Sequence, residues 1–242
     1  SDKKAIGIIP ARYEASRFPG KPLYPIAGKP LIQHVYERVT KAKLINGTIV
    51  ATDDERIFTA VEAFGGRAMM TSKDHPTGTD RLAEVASNID CDIIVNVQGD
   101  EPLMDPGLID RAVGHFGAIP DFRFGSAMTP ISNEEDIKNP NVVKVVAGQN
   151  GQALYFTRYP VPYRRKNTEI PCYQHIGFYV YSRAFLLEYA AMSPTPLEQT
   201  ECLEQLRALE NGIRIDMIET NYRGIGVDAP EDVVRIEWEQ IG

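Results

Sequence analysis

Short apolar runs alternate with segments of helical periodicity along the first half of the chain. The apolar runs are typical of buried strands, and they predict strands at residues 5–9, 48–51, 67–70, 93–97 and 124–129. Apolar positions at helical spacing, with capping residues before them, predict helices at 31–39, 54–64, 80–88 and 106–117. Strands that alternate with helices indicate βα units, so we expect a mainly parallel sheet flanked by helices.

The second half of the chain adds antiparallel elements to this pattern. Apolar runs at 142–147 and 153–156 flank Gln149-Asn150-Gly151, which is typical of a hairpin turn. A basic, proline-rich loop precedes a strand predicted at 175–181, and a helix is predicted at 197–210. A strand at 214–219 then leads to a C-terminal helix opened by Pro230. The predicted fold class is therefore α/β with a mixed, mainly parallel sheet.

The composition is that of one globular domain. The chain has 242 residues, of which 43% are hydrophobic and 24% charged, enough for a single sizeable core. A formal net charge of −7 argues against a nucleic-acid partner, because phosphate backbones favour a basic surface. No apolar run approaches the ~18 residues of a membrane span and no signal peptide precedes the first strand, so we expect a cytoplasmic protein without a membrane partner. The three cysteines lack paired spacing and are expected to be reduced thiols.

The loop at 10–22, directly after the first strand, carries three cations, Arg12, Arg17 and Lys21. Guanidinium groups, a lysine ammonium and backbone N–H groups along such a loop suit the adjacent negative charges of a triphosphate. A solvated basic loop is the alternative, although loops of more than ~12 residues in this position are usually functional. The sequence Gly-x4-Gly-Lys-Ser/Thr does not occur in the chain, so the loop is not a Walker P-loop.

The segment at 71–81 also follows a predicted strand and opens a helix. Its hydroxyl groups, Gly78 and the helix N-terminal amides suit a base or ribose pocket at the carboxyl edge of the sheet. The alternative is structural, because Thr79 or Asp80 can cap the helix and His75 alone is more often a surface residue.

Two aspartates are candidates for a divalent metal site. Asp100 follows the most apolar strand, where a rigidly held carboxylate suits the Mg²⁺ that accompanies a nucleoside triphosphate. Glu101, beside it, serves only the turn in the simpler interpretation. Asp228 stands between a strand and the helix opened by Pro230, so it either caps that helix or completes the site with Asp100.

Four motifs together carry a family resemblance. They are Pro-Ala-Arg-Tyr-x3-Arg-Phe-Pro-Gly-Lys-Pro-Leu from residue 10, His-Pro-x-Gly-Thr-Asp-Arg from 75, Gln-Gly-Asp-Glu-Pro from 98 and Gly-Val-Asp-x-Pro-Glu-Asp from 226. In this order and spacing the chain resembles the 3-deoxy-manno-octulosonate cytidylyltransferases from end to end. The resemblance implies a nucleotide-diphospho-sugar transferase-like fold with a smaller dimerisation subdomain. It implies one domain over 1–242, with a nucleotide-binding part at 1–130 and 212–242 and a sugar-binding and dimerisation part at 131–211.

The resemblance also implies which residues form the site. The catalytic groups are Arg12, Lys21, Asp100 and Asp228, of which the two aspartates are the Mg²⁺ ligands. The nucleotide-binding residues are Pro10, Ala11, Arg12, Ser16, Arg17, Lys21, Thr52, Ser72, Gly78, Thr79, Asp80, Arg81, Gln98 and Asp100. The sugar-binding residues are Gln98, Arg158, His175, Tyr179, Glu204 and Gln205. From the residues alone, His175 could be a core residue, Glu204 could lie on a solvated helix face and Arg158 could pair with a nearby acid.

The implied reaction is in-line attack by the anomeric hydroxyl of 3-deoxy-D-manno-octulosonate on the α-phosphorus of CTP. Its products are the CMP-sugar, for bacterial lipopolysaccharide or capsule, and pyrophosphate, and the family implies a homodimer. Two alternatives stay open, the 8-amino-3,8-dideoxy sugar as the acceptor and a non-catalytic nucleotide-binding regulator. A glycosyltransferase would need Asp-x-Asp where Gln98-Gly99-Asp100 supplies one aspartate. Tyr159 stands where the family often has a small residue. A larger side chain there could alter the wall of the sugar pocket, so the identity of the sugar is not decided by the resemblance.

Overall fold

A computed structural model describes residues 2–241, with side chains described through Glu237. The strands are β1 Ala5–Ala11, β2 Pro25–Ile26, β3 Lys29–Pro30, β4 Gly47–Thr52, β5 Ala68–Met70, β6 Ile93–Val97, β7 Phe124–Pro130, β8 Lys144–Ala147, β9 Ala153–Thr157, β10 Tyr173–Ser182 and β11 Ile215–Glu219. The helices are α1 Leu31–Thr40, α2 Glu55–Ala63, α3 Gly78–Ser87, α4 Pro106–Gly117, α5 Glu134–Lys138, α6 Arg183–Ala190, α7 Pro196–Glu201, α8 Leu206–Glu210 and α9 Pro230–Ile241. No helix within this range is long and apolar enough to cross a membrane.

The main sheet has the strand order β11-β7-β10-β6-β1-β4-β5. β1, β4, β5 and β6 pair in parallel, as do β7 and β11, whereas β10 runs antiparallel between β6 and β7. β8 and β9 extend from β10 as an antiparallel pair. The prediction of a mixed, mainly parallel sheet is confirmed.

Each face of the sheet buries its own apolar cluster. Along β1, Ile6 and Ile8 belong to one cluster, whereas Ala5, Ile9 and Ala11 belong to the other, because successive side chains point to opposite faces of a strand. Helices α1, α2, α4 and α9 cover one face, and α3, α6 and α8 cover the other. The result is a layer of helices on each side of the sheet.

Most of the predicted elements are confirmed, but the helix expected at 197–210 is wrong. The structure has two helices there, α7 and α8, separated at Cys202, which has a left-handed backbone with φ 55°. The Cys202 and Leu203 amides both donate to the Glu198 carbonyl, which ends α7. The apolar spacing continues across the break because Leu203 and Leu206 pack on the same cluster, so periodicity alone did not reveal it.

Three helix-related details were not predicted. Helix α5 and helix α6 were both missed; α6 follows β10 directly, and the Ser182 hydroxyl accepts the Phe185 amide as its N-cap. At α3, the expected cap at Thr79 or Asp80 is wrong, because the Thr77 hydroxyl accepts the Asp80 amide at 3.2 Å. Thr79 is thereby left in the first helical turn, close to the carboxyl edge of the sheet.

Candidate functional site

Two adjoining cavities open at the carboxyl ends of β1 and β6. The first, of about 250 Å³, is called the charged cavity and is lined by Pro10, Ala11, Arg12, Ala15, Lys21, Pro22, Pro76, Thr77, Gly78, Arg81, Gln98, Gly99 and Asp100. The second, of about 260 Å³, is called the aromatic cavity and is lined by Pro10, Gly78, Thr79, Asn96, Gln98, Phe124, Gly177, Tyr179, Tyr181, Tyr189, Glu204 and Gln205. Pro10, Gly78 and Gln98 line both, so the two cavities share a wall.

The floor of the charged cavity is a close contact between two turns. A Cβ atom on Gly99 would lie 2.9 Å from the Pro10 carbonyl oxygen, a distance that real Cβ atoms essentially never show. Only glycine lets the turn after β6 approach the loop after β1 this closely. The approach brings the Lys21 ammonium to 3.7 Å from the Asp100 carboxylate. The cations of one turn therefore face the carboxylate of the other.

Arg81 is a buried cation in the wall of the charged cavity. Only 2% of the residue is exposed, and its guanidinium donates to the Thr71 hydroxyl and the Ser72 carbonyl. It also lies 3.4 Å from the Asp53 carboxylate. These partners fix the loop before α3 against the end of β4, so Arg81 shapes the cavity and adds a positive charge to it.

Asp100 and Asp228 lie on segments that are joined by a backbone hydrogen bond. The Val227 amide donates to the Asp100 carbonyl at 2.8 Å. Burial raises the pKa of Asp100, although about 29% of its side chain stays accessible; Lys21 opposes the rise and the Asp228 charge adds to it. Asp228 is exposed, and Asp232, not Asp228, accepts the amides at the start of α9. Among the described residues no amide at the start of α9 donates to the Asp228 carboxylate, so the capping interpretation of Asp228 is wrong.

The two carboxylates fit a magnesium ion shared with a nucleotide. Among the side chains that the structure describes, up to Glu237, no group of three or more His, Cys, Asp or Glu is arranged to hold a metal ion. Mg²⁺ in nucleotide sites is commonly held by one or two carboxylates, with substrate phosphates and water as the remaining ligands. Burial is the main cause of the raised pKa of Asp100, and the nearby charge of Asp228 adds to it, so the two carboxylates are close enough to provide that partial set.

A glutamate lies beside this pair. Burial raises the pKa of Glu101 to about 7, and the Tyr222 hydroxyl donates to its carboxylate at 2.7 Å. Because Tyr222 precedes Asp228 in the chain, this bond holds the turn after β6 to the segment that carries Asp228. Glu101 thus joins the two segments, which agrees with its predicted role in the turn.

The aromatic cavity encloses one carboxylate among tyrosines. Tyr179, Tyr181 and Tyr189 line it together with Glu204. Burial raises the pKa of Glu204, and the neighbouring Thr79 hydroxyl opposes the rise; the Oε1 atom of Glu204 is buried without a hydrogen-bond partner in the part of the chain that is described. A buried carboxylate oxygen without a partner is costly, so this site favours a ligand that carries hydrogen-bond donors.

His175 lies behind the aromatic cavity and does not line it. Its Nε2 atom is 2.8 Å from the Ser126 hydroxyl, and its Nδ1 atom is 3.4 Å from the Gln205 side-chain nitrogen. Complete burial lowers the pKa of His175 to about 3, so the ring is neutral near pH 7. Gln205 itself reaches the cavity.

Arg158 lies outside both cavities. Its guanidinium donates to the backbone carbonyls of Glu201, Cys202 and Pro140, at 2.7, 3.2 and 2.9 Å. These bonds stabilise the break between α7 and α8, which is the segment that carries Glu204. In this arrangement Arg158 supports the segment that reaches the aromatic cavity and does not line that cavity itself.

The remaining predicted residues are dispersed around the cavities. Ser16 and Arg17 are exposed on the loop after β1, and the Thr52 hydroxyl accepts the Asp54 amide. The Ser72 amide donates to Glu84, and Asp80 accepts the Thr77 hydroxyl. Tyr159 is 76% exposed and lines neither cavity, so its departure from the family pattern does not alter their walls.

Sequence reasoning missed several residues that line the aromatic cavity. Tyr181 lies two residues from Tyr179 on one strand, and that spacing signals a shared face. Phe124 and Tyr189 come from β7 and from the unpredicted helix α6, and no local signal indicates that their rings meet.

Comparisons with known proteins identify the family of this chain. A cytidylyltransferase family model matches residues 6–215. The 3-deoxy-manno-octulosonate cytidylyltransferase of Geobacter metallireducens is 54% identical over 244 residues, covering 96% of each chain. That of Solibacter usitatus is 52% identical and covers 97% of this chain and 93% of the relative.

Solved structures give the same result. A CMP:2-keto-3-deoxy-manno-octonic acid synthetase complexed with CTP superposes with a TM-score of 0.94 at 41% identity, covering 98% of both chains. A 4-diphosphocytidyl-2C-methyl-D-erythritol synthase from Anaerococcus prevotii, 13% identical with a TM-score of 0.66 over 100% of this chain and 97% of that one, shares the fold. Sequence and fold together place this chain in the 3-deoxy-manno-octulosonate cytidylyltransferase family.

Proposed function

We propose that this enzyme transfers CMP from CTP to the anomeric C2 hydroxyl of 3-deoxy-D-manno-octulosonate and releases pyrophosphate. The observation that carries the proposal is the shared wall of the two cavities. Gln98 stands between a cavity with Arg12, Lys21 and Asp100, which suits a triphosphate, and a cavity of tyrosines and Glu204, which suits a polyhydroxylated ring. The acceptor hydroxyl and the α-phosphorus would meet at that wall.

The charged cavity supplies the electrostatics of the transfer. Arg12 and Lys21 bind the phosphates and neutralise the charge that develops on the departing pyrophosphate. Asp100 and Asp228 would hold Mg²⁺ together with the nucleotide. When bound, Mg²⁺ supplies Lewis-acid polarisation of the α-phosphate and lowers the pKa of a coordinated hydroxyl. Lys21 lies 3.7 Å from the Asp100 carboxylate and lines the cavity proposed for the phosphates, so its positive charge compensates that carboxylate before the nucleotide binds.

The aromatic cavity orients the acceptor. Hydrogen-bond donors and acceptors for the hydroxyl groups of the sugar come from Gln98, Tyr179, Glu204 and Gln205. The tyrosine side chains exclude water from the faces of the sugar ring. The C2 hydroxyl oxygen then forms a bond to the α-phosphorus while the bond from that phosphorus to the pyrophosphate oxygen breaks, and the hydroxyl proton passes to solvent. The protein forms no covalent intermediate in this scheme, and its contribution is positioning and charge.

The test is pyrophosphate release by the purified protein with CTP and Mg²⁺. Three acids are offered side by side: 3-deoxy-manno-octulosonate, its 8-amino-8-deoxy analogue and N-acetylneuraminate, with UTP and ATP as nucleotide controls. Release with CTP and an eight-carbon acid supports the proposal. If the protein binds CTP but releases no pyrophosphate with any of the three acids, the proposal is refuted in favour of a nucleotide-binding regulator.

The variant Asp100→Asn tests the metal assignment. Turnover is expected to fall at least about 100-fold, because the variant lacks the negative charge of the carboxylate that would bind Mg²⁺ together with the nucleotide. The KM for CTP should change by less than about threefold. Asp110→Asn is the matched control. Asp110 lies on α4, lines neither cavity and accepts hydrogen bonds from the Lys43 and Leu44 amides. Near-normal turnover of Asp100→Asn with Mg²⁺ would show that the metal lies elsewhere.

The 8-amino sugar is a second candidate acceptor because of Glu204. A buried carboxylate with an unpartnered oxygen would pair with an ammonium group more strongly than with a hydroxyl. In the same assay, a higher kcat/KM for the amino sugar, lost in Glu204→Gln, would favour that acceptor. Equal values that fall together in Glu204→Gln would favour the hydroxylated sugar.

We also propose that the enzyme is a cytoplasmic homodimer that supplies activated sugar for lipopolysaccharide or capsule. Support for the dimer comes from exposed apolar side chains in one stretch of the chain, Leu154, Tyr159, Tyr163 and Ile170, which are 54%, 76%, 90% and 60% exposed. Light scattering after size-exclusion chromatography is expected to give twice the 27.0 kDa mass of the chain. A monomer at micromolar concentration would refute the dimer.

A further inference from the structure

Ser126 lies at an irregularity in the pairing of β10 with β7. The register shifts between Ile176 and Tyr179, and Gly177 in the bulge lines the aromatic cavity. Ser126 is 1% exposed, and its hydroxyl contacts the Phe178 carbonyl at 2.7 Å, the Ile176 carbonyl at 3.3 Å and His175 Nε2 at 2.8 Å. One hydroxyl thus meets two carbonyl oxygens and one ring nitrogen.

The direction of each hydrogen bond follows from the number of protons. The Phe178 carbonyl oxygen can only accept, and two oxygens 2.7 Å apart need a proton between them, so Ser126 donates to Phe178. Since that uses the only hydroxyl proton, His175 Nε2 must donate to the Ser126 oxygen. A neutral imidazole carries one N–H, so Nδ1 of His175 is left as an acceptor.

The chain of bonds ends on a residue that reaches the aromatic cavity. The Gln205 side chain lies 3.4 Å from Nδ1 of His175 and is 5% exposed. Because Nδ1 can only accept, Gln205 must present its NH₂ group to the ring, and its carbonyl oxygen is the end left for the cavity. The orientation of the amide is therefore set by a serine on a neighbouring strand.

We propose that Ser126 is a positioning residue for the acceptor sugar, which through His175 fixes Gln205 with its carbonyl oxygen toward the aromatic cavity. The inference rests on the proposed function. A fixed acceptor selects a hydroxyl or another donor on the ligand, whereas a freely rotating amide would accept either polarity. The buried, neutral state of His175 near pH 7 agrees with this role, because protonation of Nδ1 would reverse the amide.

The first experiment measures the tautomer of His175 in the unmodified protein. Long-range ¹H–¹⁵N spectra distinguish the two neutral tautomers, and the chain has four histidines to assign. A neutral ring with its proton on Nε2 is expected between about pH 6.5 and 8. A proton on Nδ1, or on both nitrogens, would overturn the proposal, and this measurement does not depend on the folding of any variant.

The second experiment measures coupling between the two ends of the chain of bonds. Ser126→Ala is expected to raise the KM for the sugar acid about fivefold, with the KM for CTP changed by less than about twofold. In a Gln205→Ala background the same substitution should change the sugar KM by less than about twofold, because Ser126 acts through Gln205. Thr129→Val is the control, since Thr129 lies on the same strand, is fully buried and has no hydrogen-bond partner for its hydroxyl among the described residues.

The outcomes separate this proposal from the proposed function. Equal effects of Ser126→Ala in both backgrounds, or an equal effect of Thr129→Val, would indicate general disturbance of β7 and overturn the positioning role. An unmodified protein that uses neither eight-carbon acid refutes the proposed function and this inference with it. An active protein with the Nδ1–H tautomer refutes only the inference.

Discussion

His175 links the stability of the fold to pH. Its pKa falls from 6.5 in an unfolded chain to about 3 in the folded protein, because burial opposes the charged ring. The folded state therefore binds fewer protons than the unfolded state as the pH drops through 6.5. The stabilisation is complete above that value and is lost progressively below it.

The size of the effect follows from the two pKa values. At about pH 5.5 protonation of His175 stabilises the unfolded state by about 1.4 kcal/mol, whereas at about pH 7.5 it contributes about 0.1 kcal/mol. The folded ring stays neutral at both values, since they lie well above 3. We therefore expect His175 alone to lower the free energy of unfolding by about 1.3 kcal/mol between these conditions.

Urea unfolding at the two pH values, for the wild type and for His175→Gln, isolates this contribution. Carboxylates and the other histidines titrate in both proteins and cancel when the two pH differences are compared. The wild type should lose about 1.3 kcal/mol more than the variant, whatever their absolute stabilities. The same pH dependence in both proteins would show that His175 is accessible or already charged, and the assigned tautomer would then fall as well.

Three further predictions concern the scaffold and the metal. Arg207→Leu should lower the free energy of unfolding by about 3 to 5 kcal/mol in thermal or urea denaturation, because it leaves the Glu198 carboxylate, which Arg207 binds at 2.6 and 2.9 Å, buried and unpaired. As the control, Arg123→Leu removes the exposed ion pair with Glu188 and should lower the same free energy by at most about 1 kcal/mol. Gly99→Ala should lower kcat/KM at least about tenfold with a folded circular dichroism spectrum, since its Cβ would push against the Pro10 carbonyl; wild-type kinetics would contradict the close approach. EDTA should abolish pyrophosphate release reversibly and leave the melting temperature of the protein without CTP unchanged, because two carboxylates alone bind Mg²⁺ weakly; a drop in that temperature would reveal a structural metal.

The positions of the strands and of the charged groups followed from the sequence because both depend on local signals. The apolar run of β6 is buried along its whole length, and a parallel strand must end at the ligand edge of the sheet. Asp100 and the cations after β1 were therefore both expected at that edge, and the family resemblance implied that they share one site. Their 3.7 Å contact through Lys21 agrees with that expectation.

The sugar side was harder to predict because its residues meet only through tertiary contacts. Gln205 lies just after the break at Cys202, which the continuous apolar spacing conceals. Arg158 was expected among the sugar-binding residues, whereas its guanidinium is occupied by carbonyls at that break. Ser126 has no motif, since its role depends on a bulge in a neighbouring strand. Residues that act through a second residue carry no pattern in the chain.

The antiparallel strand β10 explains how one edge of the sheet serves two substrates. Tyr179 pairs with Asn96 on β6, and both line the aromatic cavity. Two residues beyond Asn96 stands Gln98, which lines both cavities and donates to the Asn96 side chain at 3.4 Å, and two further on stands Asp100. The proposed acceptor site and the carboxylate proposed to bind Mg²⁺ are therefore separated by a few residues of a single strand and its turn. The register of β10 against β6 fixes their distance, so a change of that register would disrupt sugar binding and phosphoryl transfer together.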